Sequence, residues 1–140
     1  MIDIINVTFV NNKTALNGDF VPNVVNSIFW DNENVLTNSF DGMPGTISFS
    51  ILQDFDFGDY TDGGNNIDAN PMLNDNYRIT SSSPAVDMGN DSVADDFNLT
   101  LDIDLEQRKV NLFQLNRPEG FIDMGANEAQ SDVIFKNNFE

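Results

Sequence analysis

The sequence contains no cysteine and no histidine among its 140 residues. A Ser-His-Asp triad, a thiolate nucleophile, a zinc site of the usual ligand types and a disulfide framework are therefore excluded. Cations are scarce as well: six Lys plus Arg stand against 23 Asp plus Glu, a formal net charge of −17. Such a field repels phosphate backbones and anionic membrane surfaces, and no basic stripe offsets it, so nucleic acid is not an expected partner. No apolar run approaches the ~18 residues of a membrane span, so no membrane insertion is expected. The opening, Met1-Ile2-Asp3-Ile4-Ile5-Asn6, lacks the charged and apolar regions of a secretory leader. It reads as the middle of a strand, and we expect the chain to be the C-terminal piece of a longer protein.

Apolar content of 40%, with twelve Phe, is sufficient for a packed core, so the acidity does not by itself imply disorder. Asn occurs 21 times, and its side chain competes for nearby backbone groups, which disfavours long helices. No stretch carries apolar residues at helical spacing over three turns. Short β-rich runs separated by Asn, Asp and Gly clusters recur instead, and they predict strands over Ile2 to Val10, Val24 to Trp30, Thr46 to Leu52, Tyr77 to Ile79, Leu99 to Ile103 and Gly120 to Met124.

An internal repeat organises the first half. Val7-Thr8-Phe9-Val10-Asn11-Asn12 aligns with Ser27-Ile28-Phe29-Trp30-Asp31-Asn32 at an offset of 20, each copy preceded by an Asn, and Ser50-Ile51-Leu52-Gln53-Asp54 follows at an offset of 23. That period is too short for helical pairs and suits one coil of a solenoid. The expected fold is all-β: a right-handed parallel β-helix of two to three coils over residues 1–65. Equivalent residues of successive coils then stack at the spacing of neighbouring strands, about 4.8 Å. Phe9, Phe29 and Leu52 form one inward stack, and Asn6 over Asn26 forms a ladder of side-chain amides at a turn.

The second half carries a series of ordered motifs: Asn66-Ile67-Asp68-Ala69-Asn70-Pro71-Met72-Leu73, Asn76-Tyr77-Arg78-Ile79, Ser83-Pro84-Ala85-Val86-Asp87-Met88-Gly89-Asn90, Asp102-Ile103-Asp104-Leu105-Glu106-Gln107-Arg108 and Ile122-Asp123-Met124-Gly125-Ala126-Asn127-Glu128. In this order they resemble the C-terminal end of bacterial surface or secreted parallel β-helix proteins, the choice-of-anchor Q domains. Leu105-Glu106 departs from that pattern, where a Gly-containing turn is usual. The resemblance implies an irregular C-terminal cap over 66–128 and export to the cell surface or medium. Residues 129–140 end in Ile134-Phe135-Lys136-Asn137-Asn138-Phe139-Glu140, similar to a short tail of secreted bacterial proteins, which implies a sorting signal.

Several residues are candidates for a role. Pro84 extends Ser83, and Gly89 is expected to supply a positive φ at the turn. Asp87 and Asp123 sit in matching contexts and are expected to be structural, with Arg108 bridging one or both of them. Asp54, Asp56, Asp59 and Asp62, followed by two glycines, place four hard oxygen ligands within nine residues, a candidate calcium site. A solvated acidic loop explains the same run, and we favour it. Asp102, Asp104 and Glu106 alternate, and on a strand they share one face. Trp30, beside inward Phe29, is expected to point outward, which makes it the aromatic to test for ligand contact, carbohydrate included.

No residue is assigned a catalytic role, and the chain is not expected to be an enzyme. The first reading is a structural and interaction module, the end of an exported adhesin- or stalk-like protein, with upstream coils, carbohydrate or a surface protein as partners. The alternative is the end of a polysaccharide-degrading β-helix enzyme whose catalytic coils lie upstream.

Overall fold

A computed structural model describes residues 1–39, 42–54, 60–110 and 121–130. The chain is mostly strand with little helix, and all its sheets are parallel. The strands are β1 (Ile2–Ile5), β2 (Thr8–Val10), β3 (Leu16–Phe20), β4 (Pro22–Val25), β5 (Ile28–Trp30), β6 (Leu36–Ser39), β7 (Gly45–Ser48), β8 (Ile51–Leu52) and β9 (Tyr60–Asp62). Among the described residues one short helix, α1 (Asp91–Asp96), follows. The strands form three separate sheets, ordered β1-β4-β7-β9, β2-β5-β8 and β3-β6; from β1 to β6 the chain visits each sheet in turn and returns one strand further along, and β7 and β8 begin a third round.

Register follows the sequence repeat: Ile4 pairs with Val24, Phe9 with Phe29 and Leu16 with Leu36, all at the 20-residue offset, while Val24–Ile47 and Phe29–Leu52 follow the 23-residue offset. Side chains from all three sheets meet in one core containing Val24, Phe29, Leu36, Ile47 and Leu52. Within it the Phe9 and Phe29 rings stack with centroids 4.8 Å apart and 14° between planes. Such a pair contributes roughly 0.5–1.5 kcal/mol beyond its buried area.

The abundance of Asn acquires a physical reason here. Between β1 and β2, and between β4 and β5, the chain turns on one left-handed residue, Asn6 and Asn26, both at φ 53°; after β2 and β5 the same is done by Asn11 and Asp31. Asn and Asp tolerate this region better than other non-Gly residues. At the third repeat Phe49 takes the bend at φ 47°. A polar column beside these bends joins the layers: Val7 N–H donates to Ser27 Oγ (3.2 Å), Ser27 N–H to Ser50 Oγ (3.0 Å) and Ser50 N–H to Asn66 Oδ1 (3.0 Å).

A second apolar cluster forms on the other face of β2-β5-β8. Ile28 and Ile51 pack there with Ile79, Ala85, Val86, Met124 and Ala129. Much of the C-terminal segment therefore lies along the outer face of that sheet, while Ile67 extends the stack by a parallel bridge to Ile51. Asn6 and Thr8 of the first repeat, and Asn26 and Ile28 of the second, all touch residues 123–126. Ile28 and Ile51 are buried on that face beside half-buried Thr8, and burying the two isoleucines is what the segment gains by docking laterally.

Other expectations are corrected. The Gly- and Asp-containing stretch Leu16–Phe20, outside the predicted runs, is a strand pairing with β6. Tyr77 to Ile79 is not a strand but the exit of a turn, with one antiparallel bridge, Leu73–Ile79. Leu99 to Ile103 contributes only the bridge Leu101–Gln107. Asp102 to Glu106 closes on itself as a turn, with Asp102 buried and Asp104 and Glu106 exposed, so the three acids share no face. Gly89 is needed for close approach, not for positive φ: a Cβ there would lie 2.8 Å from the Ile122 carbonyl oxygen. The positive φ falls on Asp87 instead, at 55°.

Candidate functional site

Asn6 and Asn26 stand one above the other, with Asn26 Nδ2 3.4 Å from Asn6 Oδ1. Their stronger bonds run sideways into the C-terminal segment. Asn6 Nδ2 donates to the carbonyls of Asp123 (2.9 Å) and Gly125 (3.2 Å). Asn26 Oδ1 accepts the Asn90 N–H (2.7 Å) and its Nδ2 donates to the Asn90 carbonyl (3.1 Å). The Asn26 carbonyl accepts the Gly125 N–H at 2.7 Å. Asn90 also caps α1, accepting the Ser92 N–H, so the bend of the second repeat and the start of the helix are fixed together.

Behind these contacts lies a buried knot of charge formed by Asp87, Asp102, Arg108, Asp123 and Glu128. The segments around Asp87 and Asp123 run antiparallel, joined by Gly89 N–H to the Ile122 carbonyl (2.8 Å) and Met124 N–H to the Ala85 carbonyl (3.1 Å). Asp123, fully buried, accepts the Asp87 N–H (2.7 Å) on one carboxyl oxygen and the Ala129 N–H (2.6 Å) on the other. Glu128 accepts the N–H groups of Val110 (3.2 Å) and Asp123 (3.1 Å). Asp102 accepts those of Asp104 (2.8 Å), Glu106 (3.0 Å) and Glu128 (2.8 Å).

Arg108 does not bridge the carboxylates. Its Nη atoms donate to the carbonyls of Gly125 (3.0 Å) and Ala126 (2.9 Å), and its buried Nε–H has no hydrogen-bond partner among the described residues. It clamps a loop of backbone and acts on Glu128, Asp102 and Asp123 through space. Burial lowers its affinity for the proton, and those three carboxylates oppose the loss. Burial likewise pushes Asp123 up to about 7, with the charge of Asp87 adding to the rise, and pushes Glu128 up to about 9, with Asp123 adding.

Of the acidic loop, Asp54 and Asp62 are exposed, whereas Asp56 and Asp59 lie outside the described residues. Asp62 Oδ1 is engaged in shaping its own turn, accepting the Gly64 N–H (2.8 Å) and Asn66 Nδ2 (2.7 Å). Trp30 projects from the face of β5 opposite Phe29 and is half-buried against the C-terminal segment. Two features went unseen in the sequence. Exposed Arg78 makes a two-pronged pair with Asp104 (Nε–Oδ2 2.6 Å, Nη2–Oδ1 2.8 Å), and Glu128 belongs to the buried knot. The spacing of 26 residues between Arg78 and Asp104 gives no signal, and Glu128 is one acid among 23.

Comparison with known proteins finds no matching family model, curated sequence or solved structure. The buried carboxyls of Asp102, Asp123 and Glu128 are each engaged by backbone N–H donors.

The knot gives the protein a pH-dependent stability of definite sign. Carboxyls whose folded affinity for protons is raised above the ordinary value near 4 make the native state bind more protons than the unfolded one, so the contribution of Asp123 and Glu128 to stability is greatest at low pH and is lost as pH rises through their folded values. With no His and no Cys, little else titrates between pH 5.5 and 8.5 apart from the α-amino group. Urea unfolding is expected to show stability falling across that range, with a slope of up to about 1.4 kcal/mol per pH unit for each group titrating. Glu128→Gln should flatten the profile; a wild-type stability that is level from pH 5.5 to 8.5 would contradict the assignment.

For the acidic loop, the melting temperature should be the same in millimolar calcium and in chelator. A rise of several degrees that Asp62→Asn abolishes would establish an ion site in place of the solvated loop, because a ligand of the folded state stabilises it by mass action.

Proposed function

We propose that the three-sheet repeat is the coiling of a right-handed parallel β-helix, and that this chain is the C-terminal structural and interaction module of an exported bacterial protein of adhesin or stalk type. One observation carries the reading. Along two of the three inward stacks, burial is incomplete at the first repeat and complete at the second: Phe9 is half-buried while Phe29 is 1% exposed, and Ile4 is half-buried while Val24 is 0% exposed. A core that is finished on one side and open on the other is what a solenoid presents to a further layer.

Backbone polarity supports the same reading. β1 is an edge strand of its sheet, and Ile2 and Asn6 donate across it to the Val21 and Val25 carbonyls at 3.1 Å. By alternation Asp3 and Ile5 turn their N–H and C=O groups the other way, where another strand can pair with them. The partner is a layer of the same architecture. Within this reading the module works by being extended and by displaying its flanks, and catalysis is no part of it. No observation among the described residues favours the polysaccharide-degrading alternative.

Sedimentation tests this directly. The isolated chain is expected to self-associate with rising concentration through β1. Ile5→Pro, which removes an outward donor and leaves the Ile2 and Asn6 bonds in place, should shift it to monomer with little change in its melt. A wild-type chain that is monomeric at every concentration would overturn the open-edge reading.

A further inference from the structure

A pocket of about 240 Å³ opens where β5 meets the C-terminal segment, lined by Trp30, Asp31, Asn11, Asn70, Asn74 and Tyr77 among others. A second hollow of about 540 Å³ adjoins it, with Tyr77, Arg78 and Asp104 in its wall, and Tyr77 lines both. Together they reach the size of a small-ligand site.

The wall is fixed rather than loose. The turn carrying Tyr77 is closed by Tyr77 N–H to the Asn74 carbonyl and Asn74 N–H to the Arg78 carbonyl, both 2.9 Å. Tyr77 is held at φ 58°, and the residue is 54% exposed. An aromatic residue this exposed, at the junction of the two hollows, is open to a ligand.

The polar groups are oriented as well. Asn70 Oδ1 accepts the Met72 N–H (2.8 Å), and Asn74 Oδ1 accepts those of Asn76 (2.9 Å) and Arg78 (3.1 Å). With each Oδ1 turned into the backbone, the two Nδ2 groups are left as donors at the pocket wall. The Asp31 carboxylate supplies an acceptor and the Tyr77 hydroxyl supplies both functions. Arg78, the one cation of the site, is neutralised by its two-pronged pair with Asp104. Nothing here offers a free positive charge to an anion, and a chain of net charge −17 repels one.

We propose that this pocket binds an uncharged saccharide, with the Trp30 and Tyr77 rings meeting the C–H faces of the sugar and the Asn70, Asn74 and Asp31 side chains meeting its hydroxyls. The aromatic faces exclude water from the apolar sugar face while the amides and carboxylate fix its rim, and charged uronate or sulfated glycans are rejected. The site deepens the reading of the chain as an interaction module, yet it does not depend on the open edge. A chain that stays monomeric and binds sugar would remove the edge docking and leave this site standing.

Trp30 is the single tryptophan, so its fluorescence reports on the pocket alone. The experiment titrates the full chain with gluco-, manno-, galacto-, xylo- and N-acetylglucosamine oligosaccharides, with polygalacturonate as the charged counterpart. At least one uncharged oligomer is expected to shift the emission saturably. Tyr77→Asn, which keeps a residue tolerant of positive φ, should weaken that binding about tenfold, and Asp31→Asn should weaken it several-fold, both with unaltered melts. No saturable shift with any of the five, binding indifferent to both substitutions, or a preference for polygalacturonate would each overturn the proposal.

Discussion

The structure depends on what Asn26 does at a bend where no water reaches it. Its left-handed backbone sends the chain from the first sheet into the second, and its side chain is fully buried there. Three bodies meet on it: the bend above through Asn6, the start of α1 through Asn90, and the loop after Asp123 through its own carbonyl and Gly125. A buried amide left unsatisfied costs roughly 1–3 kcal/mol, so these bonds are mutually required rather than merely additive. Gly125 shows how close the approach is: a Cβ at that position would lie 2.7 Å from the Ile28 side chain and 2.9 Å from Thr8 Oγ1.

The second constraint is charge. An acidic chain that buries Asp87, Asp102, Asp123 and Glu128 around Arg108 must hold those groups without ion pairing, and for Asp102, Asp123 and Glu128 it does so with backbone N–H donors. Arg108 completes the arrangement from the other side by satisfying two carbonyls that the tight loop at Gly125 cannot pair internally. Burial then favours the protonated carboxyls, so the region that fastens the C-terminal segment to the sheet is also the region most sensitive to pH. Docking and titration are two aspects of one cluster.

The repeat was legible because its register is written twice, in the Asn before each copy and in the aromatic at its centre, and the pairings Phe9–Phe29 and Phe29–Leu52 follow it. The outward setting of Trp30 was legible from alternation alone. The strand Leu16–Phe20 was not, because Asn17, Gly18 and Asp19 carry turn chemistry, and only pairing with β6 holds them extended. Helix α1 is six residues with one buried side chain, too short to show a period. The alternation at Asp102, Asp104 and Glu106 imitated a strand, whereas Asp102 draws the N–H groups of its neighbours onto its own carboxylate. Lateral docking of the C-terminal segment had no sequence signal, since it is specified by side-chain bonds between residues about 64 and 120 positions apart.

Equilibrium unfolding of Asn26→Gly, set beside Asn12→Gly, tests the central claim most directly. Glycine keeps the positive φ available at the bend, so the substitution removes the side-chain bonds and little else. If Asn26 ties the layers to the C-terminal segment, its loss costs about 2–4 kcal/mol, while the exposed Asn12 costs no more than about 1. Equal, small losses at both positions would contradict the account, because the segment would then be held to the sheet by apolar contact alone.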